Sequence, residues 1–325
     1  MRFVKTTQNL RKAEQLQLSK GASMEYVACN LCGSRDSKVL YTSTLTEGPD
    51  GEGMERLRCT SSGYGKHHTI VKCQHCGLVY ANPHRQTSAI LHDYEEVVDT
   101  LYLEEREGRV LTFRRNLQPL EELMPPGQGR RLLDVGCYTG VFVEIAQERG
   151  WEAWGVEPSH WAAREARRRG LRVIEGTLDN LRLAGEAFDV ITMWDVIEHL
   201  TDPLEVLRKS YRLLRKGGLV CVHTINIESP LARLLGHRWP WLMEMHLYYF
   251  SPRTLGAVLR KAGFTVVKRV NQGRFLCLGY LATRIDPYSP LLGKAISKVV
   301  TALGLQYKAV PINLGDLFTA FARKD

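Results

Sequence analysis

No stretch of the chain approaches the eighteen or so consecutive apolar residues that a helix needs to cross a bilayer. Its start, MRFVKTTQNLRKAEQLQLSK, lacks the apolar centre of a secretory leader, so residues 1–23 read as a mobile or loosely helical arm. A disulfide framework is missing too. Of eight cysteines, four fall in two CxxC pairs, while Cys59, Cys137, Cys221 and Cys277 are scattered. That usage fits a reducing compartment and a metal site, and the expected location is cytoplasmic. Residues 1–130 show no excess of one charge sign, with 17 basic against 16 acidic side chains. The net charge of +9 sits almost wholly in residues 131–325, with 27 against 19. Such a balance welcomes anionic substrates, although Arg164, Arg167, Arg168 and Arg169 share one expected helix and fit a solvated face. With 325 residues the chain can bury a sizeable core, and two domains are the natural expectation.

What is present begins with the paired cysteines. Tyr26–Gly33 reads YVACNLCG and Val71–Asn82 reads VKCQHCGLVYAN. Two residues between cysteines let both thiolates face one ion, and two such knuckles make a closed tetrahedral sulfur shell suited to structural zinc. Cys29, Cys32, Cys73 and Cys76 are the expected ligands, with residues 24–85 as a small zinc ribbon. Cys59, His67 and His68 are competing ligands that lack a knuckle. The spacer between the pairs, with TEGPDGEG and SSGYGKHH, reads as a flexible hairpin. Residues 86–127 carry amphipathic helical spacing at Ile90, Leu91 and Tyr94 and from Val110 to Met124. They form a helical connector, or lid, that ends in a Pro-Pro-Gly linker.

The remainder, residues 128–325, is organised around Arg131–Gly140, RLLDVGCYTG. A short apolar run holding an acid turns through glycines into a stretch of helical spacing. Such a strand, turn and helix bring backbone N–H groups close to a ligand. A second run, Trp154–Glu157, ends in an acid about twenty residues on, where a carboxylate meets the hydroxyls of a ribose in folds of this kind. Tyr138 stands where a dinucleotide fingerprint has its second glycine, which favours a cofactor without phosphates. Strands are expected at 131–135, 152–156, 172–175, 188–193, 219–224, 265–270 and 317–322, and helices at 141–149, 161–169, 203–214 and 254–262. Lys216-Gly217-Gly218 should stop a helix. The alternation predicts a doubly wound α/β sheet with its ligands at the strand C-terminal ends.

Three motifs in sequence, DVGCxxG (Asp134–Gly140), GVEPS (Gly155–Ser159) and FDVITMWDVIEHL (Phe188–Leu200), resemble the class I S-adenosylmethionine-dependent methyltransferases. The resemblance covers roughly Arg130 to the C-terminus and implies a seven-stranded Rossmann-like sheet. It also implies that Asp134 organises the glycine turn and the donor's ammonium. The backbone of Gly136, Cys137, Tyr138 and Gly140 would approach the methionine and ribose. Glu157 would hold the ribose with Pro158 beside it, Thr177 and Leu178 would flank the adenine, and Trp194 and Asp195 would line the methyl side. Helices of the connector close over the cofactor in related enzymes, so Tyr94, Tyr102 and Arg106 could touch the methionine end or serve ordinary packing and surface contact.

Residues 231–252 form an expected substrate wall, rich in Trp, His and Tyr without helical period. HLYYFSP (His246–Pro252) resembles the motif of zinc-ribbon-bearing sugar C-methyltransferases. That resemblance points to His246 as base with Tyr248 or Tyr249 as helper; Met245 departs from that group, which tends to carry glutamate there. In DVIEH, Asp195, Glu198 and His199 have a spacing that can hold a divalent ion, as in some related O-methyltransferases, or His199 and Glu198 orient the loop. Residues 271–315 form an insertion with an amphipathic helix whose Leu292, Ile296, Val299, Val300 and Leu303 share a face. That helix could pack over the sheet, lie on a membrane surface or join two copies.

Three functions compete. The first is a methyltransferase acting on a small-molecule or glycan acceptor, anionic in character, such as a nucleotide-linked sugar or polysaccharide. The second is an RNA methyltransferase whose ribbon grips nucleic acid. The third is a binding protein that has kept the fold without the chemistry. The near-neutral ribbon counts against RNA, and no NPPY-like tetrapeptide follows the fourth strand. Intact Asp134, Gly136 and Glu157 count against a dead fold. The expectation is therefore a small-molecule or glycan methyltransferase using S-adenosylmethionine and a structural zinc.

Overall fold

The structure, a computed structural model, describes residues 24–45, 57–181, 185–285 and 289–325. The N-terminal arm and the acidic middle of the spacer fall outside these residues. The N-terminal part contributes β1 (Met24–Glu25), β2 (Ser37–Tyr41), β3 (Ile70–Cys73), β4 (Val79–Ala81) and β5 (His84–Arg85). Helices α1 (Thr87–Glu96), α2 (Leu101–Glu104) and α3 (Arg106–Leu123) follow as the connector.

From there strands and helices alternate. β6 (Arg131–Val135), α4 (Val141–Glu148), β7 (Glu152–Glu157), α5 (His160–Arg168) and β8 (Val173–Glu175) build one half of the sheet. β9 (Phe188–Trp194), α6 (Pro203–Leu213), β10 (Leu214–Ile225), α7 (Pro230–Leu235), β11 (Tyr248–Tyr249), α8 (Pro252–Lys261) and β12 (Phe264–Asn271) come next. The insertion holds β13 (Arg274–Cys277), α9 (Leu278–Thr283), α10 (Pro290–Ala302) and β14 (Ala309–Ile312), and β15 (Leu317–Lys324) closes the chain.

The central sheet has seven strands in the order β12-β15-β10-β9-β6-β7-β8. β10, β9, β6, β7 and β8 run parallel, while β15 runs antiparallel to both its neighbours. This is the expected doubly wound α/β fold. The order reverses between β6 and β9, which opens a crevice at their C-terminal ends. Helices cover both faces, so β6 is apolar on both sides except at Asp134: Leu132 and Leu133 are fully buried.

Three local details depart from the expectation. Lys216-Gly217-Gly218 does not stop a helix: α6 ends at Leu213 and β10 starts at once, with the glycines in a register shift between Leu214 and Leu219. Gly217 has φ +77°, a conformation open to glycine, which lets the strand bulge without losing its sheet. The ribbon sheet takes a strand from outside residues 24–85. β11, from the expected substrate wall, pairs with β4 and completes a four-stranded sheet β11-β4-β3-β2. Its Leu31, Leu78 and Tyr80 share one hydrophobic cluster with Leu204, Tyr248 and Phe250. Finally, α10 does not pack its apolar face over the sheet. Leu292, Val299 and Leu303 remain exposed, and of the helix only Gly293 is buried. No helix among the described residues is long and apolar enough to cross a membrane.

Candidate functional site

The two cysteine knuckles are built alike. In each, a glycine at positive φ closes the turn, Gly33 at +79° and Gly77 at +78°, and its N–H donates to the carbonyl of the first cysteine. All four sulfurs lie within 4.8 Å of one another, and Cys29 Sγ is 3.4 Å from Cys76 Sγ, with Cys32 Sγ 3.5 Å from Cys73 Sγ. Zinc–thiolate bonds of about 2.3 Å in a tetrahedron separate sulfurs by roughly 3.8 Å, so the donor set fits that ion after a small expansion. His67 is spent elsewhere, its Nδ1 2.7 Å from the His68 carbonyl, and neither it nor Cys59 joins the cluster. The ribbon is tied down by Arg253, which donates to the Cys76 carbonyl, and by Asn30, which bonds Asp202 and the Leu204 N–H.

A cleft of about 820 Å³ opens at the sheet's switch point. Of the residues assigned to the donor, Asp134, Gly136, Cys137, Tyr138, Glu157, Pro158, Thr177, Leu178, Trp194 and Asp195 all line it. Gly140 does not. It caps α4 at φ +77°, and a Cβ there would meet Leu171 Cδ1 at 2.6 Å, so its smallness serves helix packing rather than a ligand.

The glycine turn is held by the second acid, not the first. Gly136 and Cys137 donate to the Val156 carbonyl, while Glu157 Oε2 accepts from the Tyr138 N–H at 2.8 Å and Oε1 from the Ser159 N–H at 2.9 Å. Each Glu157 oxygen keeps a lone pair for the cleft. Burial pushes this carboxyl up to about 7, against the pull of its two N–H donors. Asp134 instead accepts from the Thr192 hydroxyl at 2.6 Å, and burial raises it to about 8. A cation bound beside either acid would restore its charge. Trp194 closes the floor, its ring centroid 5.0 Å from Phe142 and 6.0 Å from Phe113. Asp195 sits at φ +55° and accepts from Arg274 at 2.8 Å; burial opposes its charge, but Arg274 and His223 outweigh burial and keep the carboxyl low.

The far wall carries the two histidines. His246 Nδ1 lies 2.7 Å from the Trp241 carbonyl, and His199 Nδ1 lies 3.0 Å from both the Met245 carbonyl and the Tyr94 hydroxyl. A carbonyl only accepts, so each Nδ1 carries the proton and each Nε2 keeps a lone pair. The rings are 4.8 Å apart. Burial drives His246 down to about 3 and His199 down to about 4, so both are neutral at ordinary pH. Glu198 joins them, with one ligand atom from each residue within 4.8 Å of the others. Its carboxylate accepts from Thr224, and burial raises it to about 8. This trio is a set that can take a divalent ion; Asp195 is drawn off to Arg274.

Tyr249 and Tyr248 do not line the cleft. Tyr249 is fully buried and donates to the Met243 carbonyl at 3.3 Å, while Tyr248 donates to Thr201 and stacks on Tyr80. Consecutive residues of β11 point to opposite faces: the Tyr248 ring goes to Tyr80, and the Tyr249 ring packs 6.2 Å from that of His246. Arg106 is also placed outside, held by Glu144 at 2.7 Å, whereas Tyr94 and Tyr102 face inward. Arg109, one turn on, faces in instead. The insertion supplies Arg274, Tyr280 and Arg284 to the same cleft. Arg284 fastens the end of the ribbon spacer by donating to the carbonyls of Thr60 and Ser61, and Thr60 bonds Asp99. That half of the spacer is therefore pinned, not a free hairpin.

A model of the family described as a methyltransferase domain matches residues 102–269. The chain belongs to this family. Its sheet and glycine turn are those of the class I S-adenosylmethionine-dependent methyltransferases. Similar curated proteins include a ubiquinone biosynthesis O-methyltransferase of Cereibacter sphaeroides, 34% identical over 157 residues, which are 44% of this chain and 64% of that one. Another of the same name, from Ruegeria pomeroyi, is 35% identical over 44% of this chain and 63% of its own. The chain thus matches less than two thirds of the length of either. Among solved structures, an S-adenosylmethionine-dependent methyltransferase of Thermotoga maritima, titled a possible histamine N-methyltransferase, aligns with 68% of this chain and 91% of its own. It is 25% identical, with a TM-score of 0.46.

Proposed function

We propose that the chain transfers a methyl group from S-adenosylmethionine to a hydroxyl of a small-molecule acceptor, with His246 as general base and His199 beside it. The observation that carries this reading is the histidine pair: both Nδ1 atoms are tied to main-chain carbonyls, which leaves two neutral Nε2 lone pairs on the wall of the donor cleft. The donor supplies a methyl on a positive sulfur, already activated, so the protein has to align the acceptor and take its proton.

Several buried polar atoms of the cleft have no partner, among them Tyr138 Oη, Asn116 Oδ1 and Trp194 Nε1. A polar ligand seated there would satisfy them, as buried groups require. In this arrangement Glu157 accepts from the ribose hydroxyls, Thr177 and Leu178 flank the adenine, Trp194 and Asp195 line the methyl side, and Asp134 takes the ammonium. His246, neutral and fixed in one tautomer, accepts the acceptor's proton at Nε2. Cys29, Cys32, Cys73 and Cys76 would hold a zinc ion, which supplies a rigid anchor under β11 rather than chemistry.

The relatives' names favour a hydroxyl on a small molecule. The glycan acceptor rests on the HLYYFSP resemblance alone, and no feature of the cleft favours RNA. The test is transfer of labelled methyl groups to a panel of small phenols, nucleotide sugars and short RNAs. Labelling of a phenol or another small hydroxyl compound, lost in His246→Gln, supports the reading; labelling of RNA alone overturns it.

A further inference from the structure

α10 is the helix of the insertion that contributes nothing to the cleft. Its Leu291, Leu292, Ala295, Val299, Ala302 and Leu303 are all exposed, with Leu291 keeping 85% of its surface and Leu303 66%. Helical geometry puts these six within an arc of about 120°. Gly293, the buried residue of the helix, lies on the far side, and α10 packs on α9. The stripe therefore points away from the body of the protein. Single exposed leucines are ordinary on a protein surface, whereas an unbroken apolar stripe along one helix face marks a contact.

The charges around the stripe select what it meets. Residues 289–315 carry Lys294, Lys298 and Lys308 and no acid. Lys294 and Lys298, both exposed, border the stripe along one edge. An apolar face edged with lysines matches a lipid surface with anionic headgroups. The apolar side chains enter the acyl boundary, while the long lysine stems carry their ammonium groups out to the phosphates. A second copy of the same face fits worse, because it brings three more lysines and no acid to meet them. Six side chains, two of them alanines, also fall short of the roughly 20–30 residues a side that a stable protein interface takes.

We infer that α10 lies on the surface of a bilayer containing anionic lipid, with its apolar stripe at the acyl boundary. The same insertion lines the cleft through β13 and α9, so the contact places the cleft beside the lipid.

The test is co-sedimentation of the full chain with two kinds of vesicle, phosphatidylcholine alone and phosphatidylcholine mixed equally with phosphatidylglycerol. Wild type should bind the mixed vesicles about tenfold or more tighter than the neutral ones, and high salt should remove most of that difference. Leu292→Gln combined with Leu303→Gln should weaken binding to mixed vesicles about 10- to 100-fold. Lys294→Gln combined with Lys298→Gln should weaken it about tenfold and leave binding to neutral vesicles unchanged. All four positions are exposed, so both double variants should melt within about 2 °C of wild type. Wild type that binds neither vesicle, or both equally, overturns the inference, as does a leucine double variant that binds mixed vesicles like wild type. Sedimentation velocity without lipid covers the other occupant. A wild-type dimer that the leucine double variant turns into monomer would assign the stripe to a second copy and overturn the lipid contact.

Discussion

The cysteine knuckles and the donor cleft both bring polar atoms to one point, but they do so over very different lengths of chain. Each knuckle is five residues closed by its own glycine, and the two differ mainly in sequence position. The cleft draws Glu157 from β7, the histidines from loops after β9 and β10, Arg109 from the connector and Arg274 from the insertion. The difference lies in where the specificity is stored. Each knuckle's geometry is local and rests on two thiols and one glycine, while the cleft exists only once the whole sheet has folded. β11 joins the two, since it leaves the histidine wall and adds a strand to the ribbon.

That junction makes the comparison breakable. Cys76→Ser should abolish stoichiometric zinc by elemental analysis and destabilise the protein by several kcal/mol, roughly half or more of a typical domain's stability. Because β11 and the His246 loop lean on the ribbon, S-adenosylhomocysteine binding should weaken with it. If the variant loses metal and keeps wild-type stability and binding, the ribbon is an independent module. His246→Gln tests the other side. Turnover on the acceptor found in the labelling panel should fall about 10²- to 10⁴-fold, with zinc content and S-adenosylhomocysteine affinity unchanged.

A pH experiment sharpens the contrast further, since the cleft concentrates shifted groups. Burial lowers His199 and His223 to about 4 and His246 to about 3. The unfolded chain takes up protons on these imidazoles below about 6.5, the folded one does not, so their contribution is present above that pH and is lost as pH falls. Glu157 near 7 and Glu198 and Asp134 near 8 work in the opposite sense. Folded, they keep protons that the unfolded chain releases above about 4, so that stability is lost as pH rises through 7 to 8. Donor-free protein should therefore lose stability between pH 6.5 and 8.5, and Glu198→Gln should reduce the slope by at most about 1.4 kcal/mol per pH unit. An unchanged slope would remove Glu198 from the group. The smallest effect should come from Tyr249→Phe. Its hydroxyl serves one carbonyl, so about 1 kcal/mol of stability and no change in turnover are expected; a large fall in turnover would return Tyr249 to the reacting centre.

The same division explains what could be read in the chain before folding. The CxxC spacing, the glycine turn and the acid ending β7 are local patterns, and each places its atoms within a few residues. Arg106 and Arg109 sit three apart on one helix, so periodicity cannot choose between them; the choice is made by Glu144 on α4, which captures the first. HLYYFSP located the wall but not its rotation, because β11's pairing with β4 decides that His246 faces the cleft and Tyr249 the ribbon. The strand pair β13–β14 and the docking of the spacer through Arg284 carry no alternating apolar signal at all. The exposed face of α10 shows the limit from the other direction, since its amphipathic spacing is genuine and nothing in the described chain covers it.

All of this hangs on one carboxylate, Glu157, that grips a backbone turn with each oxygen and is proposed to hold a ribose. Calorimetric titration of S-adenosylhomocysteine into wild type and Glu157→Ala tests it most directly. The account predicts one site per chain in wild type and a loss of about 30-fold or more in the variant, the cost of two charge-assisted bonds. Equal affinity in the two proteins, or no binding to wild type, would contradict it.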